Sequence, residues 1–130
     1  MTRPKVKFFT LCDQVIEDKE TGKYSLIGLM DAYLSPAFPT MGNMSGMALL
    51  LGEPNQSYRY RLEIKNPKDT GKSPELQRHL SDNGTGTLRL DLSPVPFPCP
   101  GTYSIRLFID GELAEESFFD VNQADILGSN

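Results

Sequence analysis

The sequence predicts an all-β chain folded as an antiparallel two-sheet sandwich of seven or eight strands, immunoglobulin-like in pattern, with a small β-barrel as the alternative. Three observations carry that expectation. Tyr103, Ile105, Leu107 and Ile109 alternate with more polar neighbours and run into Asp110-Gly111, a strong hairpin signal. Tyr58, Tyr60, Leu62 and Ile64 alternate just as cleanly with Arg59, Arg61, Glu63 and Lys65, so this strand has a dry and a wet side. No amphipathic helix of useful length is present, while eleven glycines and ten prolines supply turns for many short strands.

Val6 to Ile16, rich in Phe, Thr and Val, is the first predicted strand, and 17–22 is a polar turn ending in glycine. Tyr24 to Leu34 is its antiparallel partner. Both segments carry apolar residues on two faces, so the charged Asp13 implies a bulge near Cys12-Asp13. Ser35 to Asn43 holds two prolines and reads as a crossover loop, since each proline removes a ladder donor. Met44 to Leu51 resumes as a strand, and the 58–65 strand follows. Asn66 to Pro74 is an exposed loop, whereas Glu75 to Leu80 fits a short strand or one helical turn equally well. Leu88, Leu90 and Leu92 mark another half-buried strand, and Ser93 to Gly101, with four prolines, leads to the final hairpin.

That hairpin has two candidate registers. A strict two-residue turn places Glu116 beside Ile105 on the dry face. One extra residue instead pairs Ile109 with Leu113, Tyr103 with Phe119 and Arg106 with Glu116, burying more apolar surface and matching charges, with a bulge or early strand end expected around Glu115. The predicted core is Tyr58, Tyr60, Leu62, Ile64, Leu88, Leu90, Tyr103, Ile105, Leu107 and Ile109.

With 130 residues the chain suits one domain, 1–123, followed by a loose tail, 124–130, and a core can form without metal or disulfide. A net charge of −4 speaks against nucleic acid as a partner. Arg3, Lys5 and Lys7 read as the wet side of the first strand. The N-terminus lacks an apolar signal segment and no run reaches membrane-spanning length, so a cytoplasmic protein is expected. Cys12 and Cys99 are 87 positions apart and read as free thiols, with a bridge between them as the rival.

Catalytic inventory is thin. His79, Ser81 and Asp82 supply the residue types of a hydrolytic triad, but neighbours in sequence seldom reach triad geometry, and a surface histidine is the simpler reading. The carboxylates Asp18, Glu20, Glu112, Glu115, Glu116 and Asp120 match no calcium loop. The glycine turns lack the strand, loop and helix order of a phosphate cradle. No cofactor is implied and the chain does not read as an enzyme.

Cys12 to Ile16, Thr21-Gly22-Lys23, Ser25-Leu26-Ile27-Gly28, Phe38-Pro39, and Phe97 through Tyr103 leading to Asp110-Gly111 together resemble a family of small bacterial proteins defined as a domain of unknown function. The resemblance covers nearly the whole chain and transfers no catalytic or binding residue. Pro100-Gly101-Thr102-Tyr103 also looks like the approach to the closing strands of many immunoglobulin-like sandwiches, an analogy of fold alone.

What remains is a noncatalytic interaction or structural module. In the favoured register Phe108 and Phe118 lie opposite the dry face of the closing hairpin, with Arg106 and Glu116 between them, and mark a candidate partner surface for another protein or a weak homodimer. The alternative is a carbohydrate- or lipid-surface-binding module using the loop aromatics Phe38 and Phe97, and burial of both would remove its main support.

Overall fold

The computed structural model describes residues 3–124, and among these there are strands and no helix. The smaller main sheet contains β1 (Lys5–Glu17), β2 (Tyr24–Leu29), β5 (Ser45–Leu51) and β9 (Thr85–Asp91) in the order β2-β1-β5-β9. The larger one contains β3 (Ala32–Ser35), β6 (Ser57–Lys65), β7 (Thr70–Lys72), β8 (Leu76–His79), β11 (Gly101–Ile109) and β12 (Glu112–Gln123). Its order is β3-β12-β11-β6-β7, with β8 also pairing β6. A two-stranded ribbon joins β4 (Thr40–Gly42) to β10 (Val95–Phe97). Neither main sheet closes on itself, so the protein is an immunoglobulin-like sandwich and not a barrel.

Alternation builds the core. Tyr103, Ile105, Leu107 and Ile109 are all buried, and they meet Leu11, Ala48, Leu50, Leu88 and Leu90 from the opposite sheet. Tyr58 and Leu62 are buried as expected, whereas Tyr60 and Ile64 are half-buried at the margin. Cys12, Val15 and Met47 form a second small cluster with Leu26 packed against it. Cys12 and Cys99 are not bridged.

Several expectations change. The Tyr24 to Leu34 strand is two strands: β2 stays antiparallel to β1, then the chain crosses at Met30-Asp31 and β3 pairs in parallel with β12. Facing changes near Asp13, since Cys12 and Val15 share one cluster although they are three positions apart. It does so without the expected bulge, since the register with β2 is continuous, and Gly28 opposite Asp13 takes a φ of 71°. The register shift in β1 lies between Val6 and Phe8. The two prolines-rich stretches are more ordered than loops: each contributes one strand of the β4–β10 ribbon, and Val95 and Phe97 are fully buried. Likewise 66–74 contains β7, and the ambiguous 75–80 segment contains strand β8, followed by the buried Leu80.

The closing hairpin uses both candidate registers. Asp110 and Gly111 have φ of 49° and 83°, the left-handed pair of a two-residue turn, so Ile109 faces Glu112 and not Leu113. A shift between Leu107 and Phe108 then inserts one residue, after which Arg106 pairs with Glu116 and Tyr103 with Phe119. The turn chemistry sets the first register and apolar burial sets the second; a bulge at Ala114 reconciles them. Of the tail from 124 onward only Ala124 is described, its N–H donating to the Ser35 carbonyl at 2.8 Å.

Candidate interaction surface

Residues of β6, β11 and β12 that alternate with the core point away from it and make the outer face of the larger sheet. All four residues of the candidate partner surface lie there, because Arg106 pairs across strands with Glu116, Ser104 with Phe118, and Phe108 with Arg61. Arg106 donates from Nε to Glu116 at 2.8 Å. That bond holds the Glu116 carboxyl below the usual glutamate range against an opposing desolvation effect, with help from Ser104 and Lys65. The same bond holds Arg106 further toward its charged form. Ser104 is buried, and its hydroxyl assists Glu116 without reaching hydrogen-bond length to any described group.

The two phenylalanines are not equivalent. The Arg61 guanidinium sits 4.1 Å from the centre of the Phe108 ring and is held there by Glu63, a buried carboxylate. Phe118 has no such cap among the described residues and is 63% exposed. Beside it is a groove of about 320 Å³ lined by Lys65, Asn66, Thr102 and the Arg106–Glu116 pair. An exposed ring flanked by a positioned ion pair and a groove combines the aromatic and arginine content typical of binding surfaces. The four-stranded sheet also has apolar residues outside, notably the directly paired Phe8 and Leu49. Neither stands out in the sequence, because apolar residues occur on both faces of β1 and of β5.

Phe38 and Phe97 do not form an exposed platform. Phe97 has no exposed surface, and its ring centre lies 4.5 Å from Tyr33, 5.4 Å from Tyr103 and 6.4 Å from Phe119. Phe38 is half-buried and packs against the same core. These rings plug one end of the sandwich, which removes the main support for stacking a sugar on them. Tyr103 locks this end by donating to the Cys99 carbonyl at 2.7 Å, and burial pushes its phenol pKa up. A tyrosine at the start of a late strand bonding back a few residues is a device of immunoglobulin-like sandwiches. The signal for it was the Pro100-Gly101-Thr102-Tyr103 run.

His79 is paired with Ser57, not with Ser81 or Asp82: Ser57 Oγ and His79 Nδ1 are 2.9 Å apart across β6 and β8, both exposed. Ser81 instead bonds Asn83 and Thr85 within its turn. No carboxylate bonds His79 among the described residues, so no triad is assembled. The acidic residues are dispersed: Asp18 accepts from the N–H groups of Glu20 and Thr21, Glu112 pairs with Arg3 at 2.9 Å, and Asp120 accepts from Thr102. No cluster of three potential metal ligands occurs among the described residues, and these include no helix long and apolar enough to cross a membrane.

Among solved structures the chain is similar to a Pseudomonas fluorescens alkylpurine DNA glycosylase, AlkC, bound to DNA with an abasic-site analogue. The identity is 10% and the TM-score 0.53, over 88% of this chain and 30% of that one. It is also similar to a Listeria innocua β-glucosidase at 7% identity and a TM-score of 0.50, over 88% of this chain and 16% of the enzyme. An immunoglobulin-like protein from Pseudomonas aeruginosa, PA1606, aligns at 14% identity and a TM-score of 0.46 over 92% of this chain and 97% of that one. The chain thus spans under a third of the glycosylase and under a fifth of the glucosidase, and at these identities the likeness concerns the fold alone. No curated protein matches the sequence. The model of the family of unknown function DUF6941 matches residues 7–122, and the chain belongs to that family.

Proposed function

We propose that the protein is a noncatalytic interaction module that docks a protein partner on the outer face of its larger sheet, centred on Phe118. The observation that carries this is the 63% exposure of Phe118 beside the fixed Arg106–Glu116 pair, on a strand whose other face is core. A phenylalanine this exposed contributes little to folding, whereas a partner that covers it removes apolar surface from water. Arg106 and Glu116 then supply orientation, since each presents a charge already held in place.

The test is a photocrosslinking residue placed at position 118 in the intact protein, together with concentration-dependent light scattering of wild type and Phe118→Ser. The proposal expects a discrete crosslinked species, either a second copy or another protein, and its loss together with any self-association when Arg106 is also changed to Ala. A crosslinker at 118 that captures nothing above the background of the same group at exposed Lys19, with a monomer at every concentration, would overturn it.

A further inference from the structure

Asn66, which lines the Phe118 groove, also lines a second pocket, of about 380 Å³. Its walls are Pro39, Pro96, Pro98 and the exposed Met41, backed by Phe97, and Asp69 is the one ionisable group among the described residues that line it. Loop 66–69 positions that exposed carboxylate through hydrogen bonds. Buried Asn66 accepts the N–H groups of Lys68 and Asp69, both at 2.8 Å, and donates from Nδ2 to Asp69 Oδ1 at 2.8 Å. Asp69 makes no ion pair among the described residues, and its charge is near enough to the Tyr103 phenol to disfavour ionisation there.

We infer that this pocket receives a lysine or arginine side chain from an extended segment of a protein partner, its aliphatic stem against the proline rings and its charge at Asp69. Charge complementarity selects this occupant. An anion would meet Asp69 with no compensating cation in the lining. A purely apolar group would strip water from the carboxylate without replacing it. A cation on a hydrocarbon stem satisfies wall and carboxylate together, as such side chains do wherever they lie along apolar surface. The net charge of −4 favours approach of a basic segment. Asn66 lines both this pocket and the Phe118 groove, so one segment crossing Asn66 reaches both. The choice of a partner's side chain over a free amine rests on the docking reading above.

The experiment titrates the full chain with N-acetyl-arginine methylamide and its citrulline and norleucine counterparts, following backbone amides by NMR. Arginine should shift Thr40, Met41 and Asp69 with saturation in the millimolar range, and citrulline and norleucine should bind more weakly. Asp69→Asn keeps the oxygen that Asn66 donates to but removes the charge. It should weaken arginine binding about 5-fold, the scale of an exposed ion pair, with an unchanged melting temperature. Equal binding of arginine and citrulline, shifts confined to other regions, or an Asp69→Asn protein that binds arginine as wild type does would each overturn the inference. Arginine binding that persists when position 118 captures no partner would sink the docking reading and leave the pocket as a site for free cations. Capture at 118 without arginine binding would sink the pocket alone.

Discussion

The first and last hairpins of the chain are built from similar residues and behave differently. In β11 and β12 every second residue of β11 is buried, and Leu107 has no exposed surface. In β2 no residue is buried, and Ile27 and Leu29 are 47% and 69% exposed although they are as apolar as anything in β11. The difference is position. β11 is central, with β6 and β12 on either side and the opposite sheet beneath, while β2 is the outermost strand of its sheet and pairs only with β1. Apolar character therefore becomes stability only where a second layer covers it.

The largest test of that contrast is truncation. Leu107→Ala should cost about 2–5 kcal/mol, visible as a large fall in the denaturant midpoint. Leu29→Ala should stay within about 0.5 kcal/mol of wild type. Equal effects would mean that β2 is covered after all, for example by a second copy.

Next in size is the backbone of the first hairpin. Gly28 adopts a φ of 71°, and an added methyl would meet the Asp13 carboxylate, so Gly28→Ala should cost on the order of 1–2 kcal/mol. The double variant with Asp13→Ala should recover the steric part and leave the backbone part. Full recovery would show that the left-handed conformation is imposed by Asp13 and not by the glycine.

A smaller effect separates the hairpins electrostatically. Glu116 has a lowered folded-state pKa, so its bond to Arg106 adds stability above the ordinary glutamate pKa, and that contribution disappears as pH falls through the folded value. Melting curves of wild type and Glu116→Gln should therefore differ at neutral pH and converge on acidification. A gap that stays constant with pH would assign the effect to packing. At the alkaline end Tyr103, whose folded pKa is raised by burial, should withdraw stability as pH climbs through that value, and Tyr103→Phe should flatten the decline.

The smallest expected change is Phe118→Ser, within about 0.5 kcal/mol. Phe108→Ser should cost more, because it also removes the surface under the Arg61 guanidinium. Equal destabilisation would place Phe118 in the fold and not on a free surface.

Much of this was readable in residue order. Period-two alternation located the core over 103–109 and, through Tyr58 and Leu62 but not Tyr60 and Ile64, half of it over 58–64, and Asp110-Gly111 located the turn. Cross-strand charge matching placed Arg106 against Glu116, and with it the outward face that holds Phe108 and Phe118. Proline misled at Val95 and Phe97: it forbids a central strand, but not a short ribbon whose other residues are buried. The inequality of Phe108 and Phe118 was invisible, because the Arg61 cap comes from a strand more than 40 positions away.

Local chemistry by itself determined the strand class, the hairpin turn and the inward residues, because alternation and turn dihedrals depend on a few neighbouring residues. Only tertiary structure decided which apolar strands are covered, where β3 leaves its hairpin to join the other sheet, and how 66–69, 39–41 and 96–98 converge on a pocket around Asp69. Those outcomes depend on contacts between segments distant in sequence, and a pattern that repeats every two residues carries no information about which distant surface will meet it.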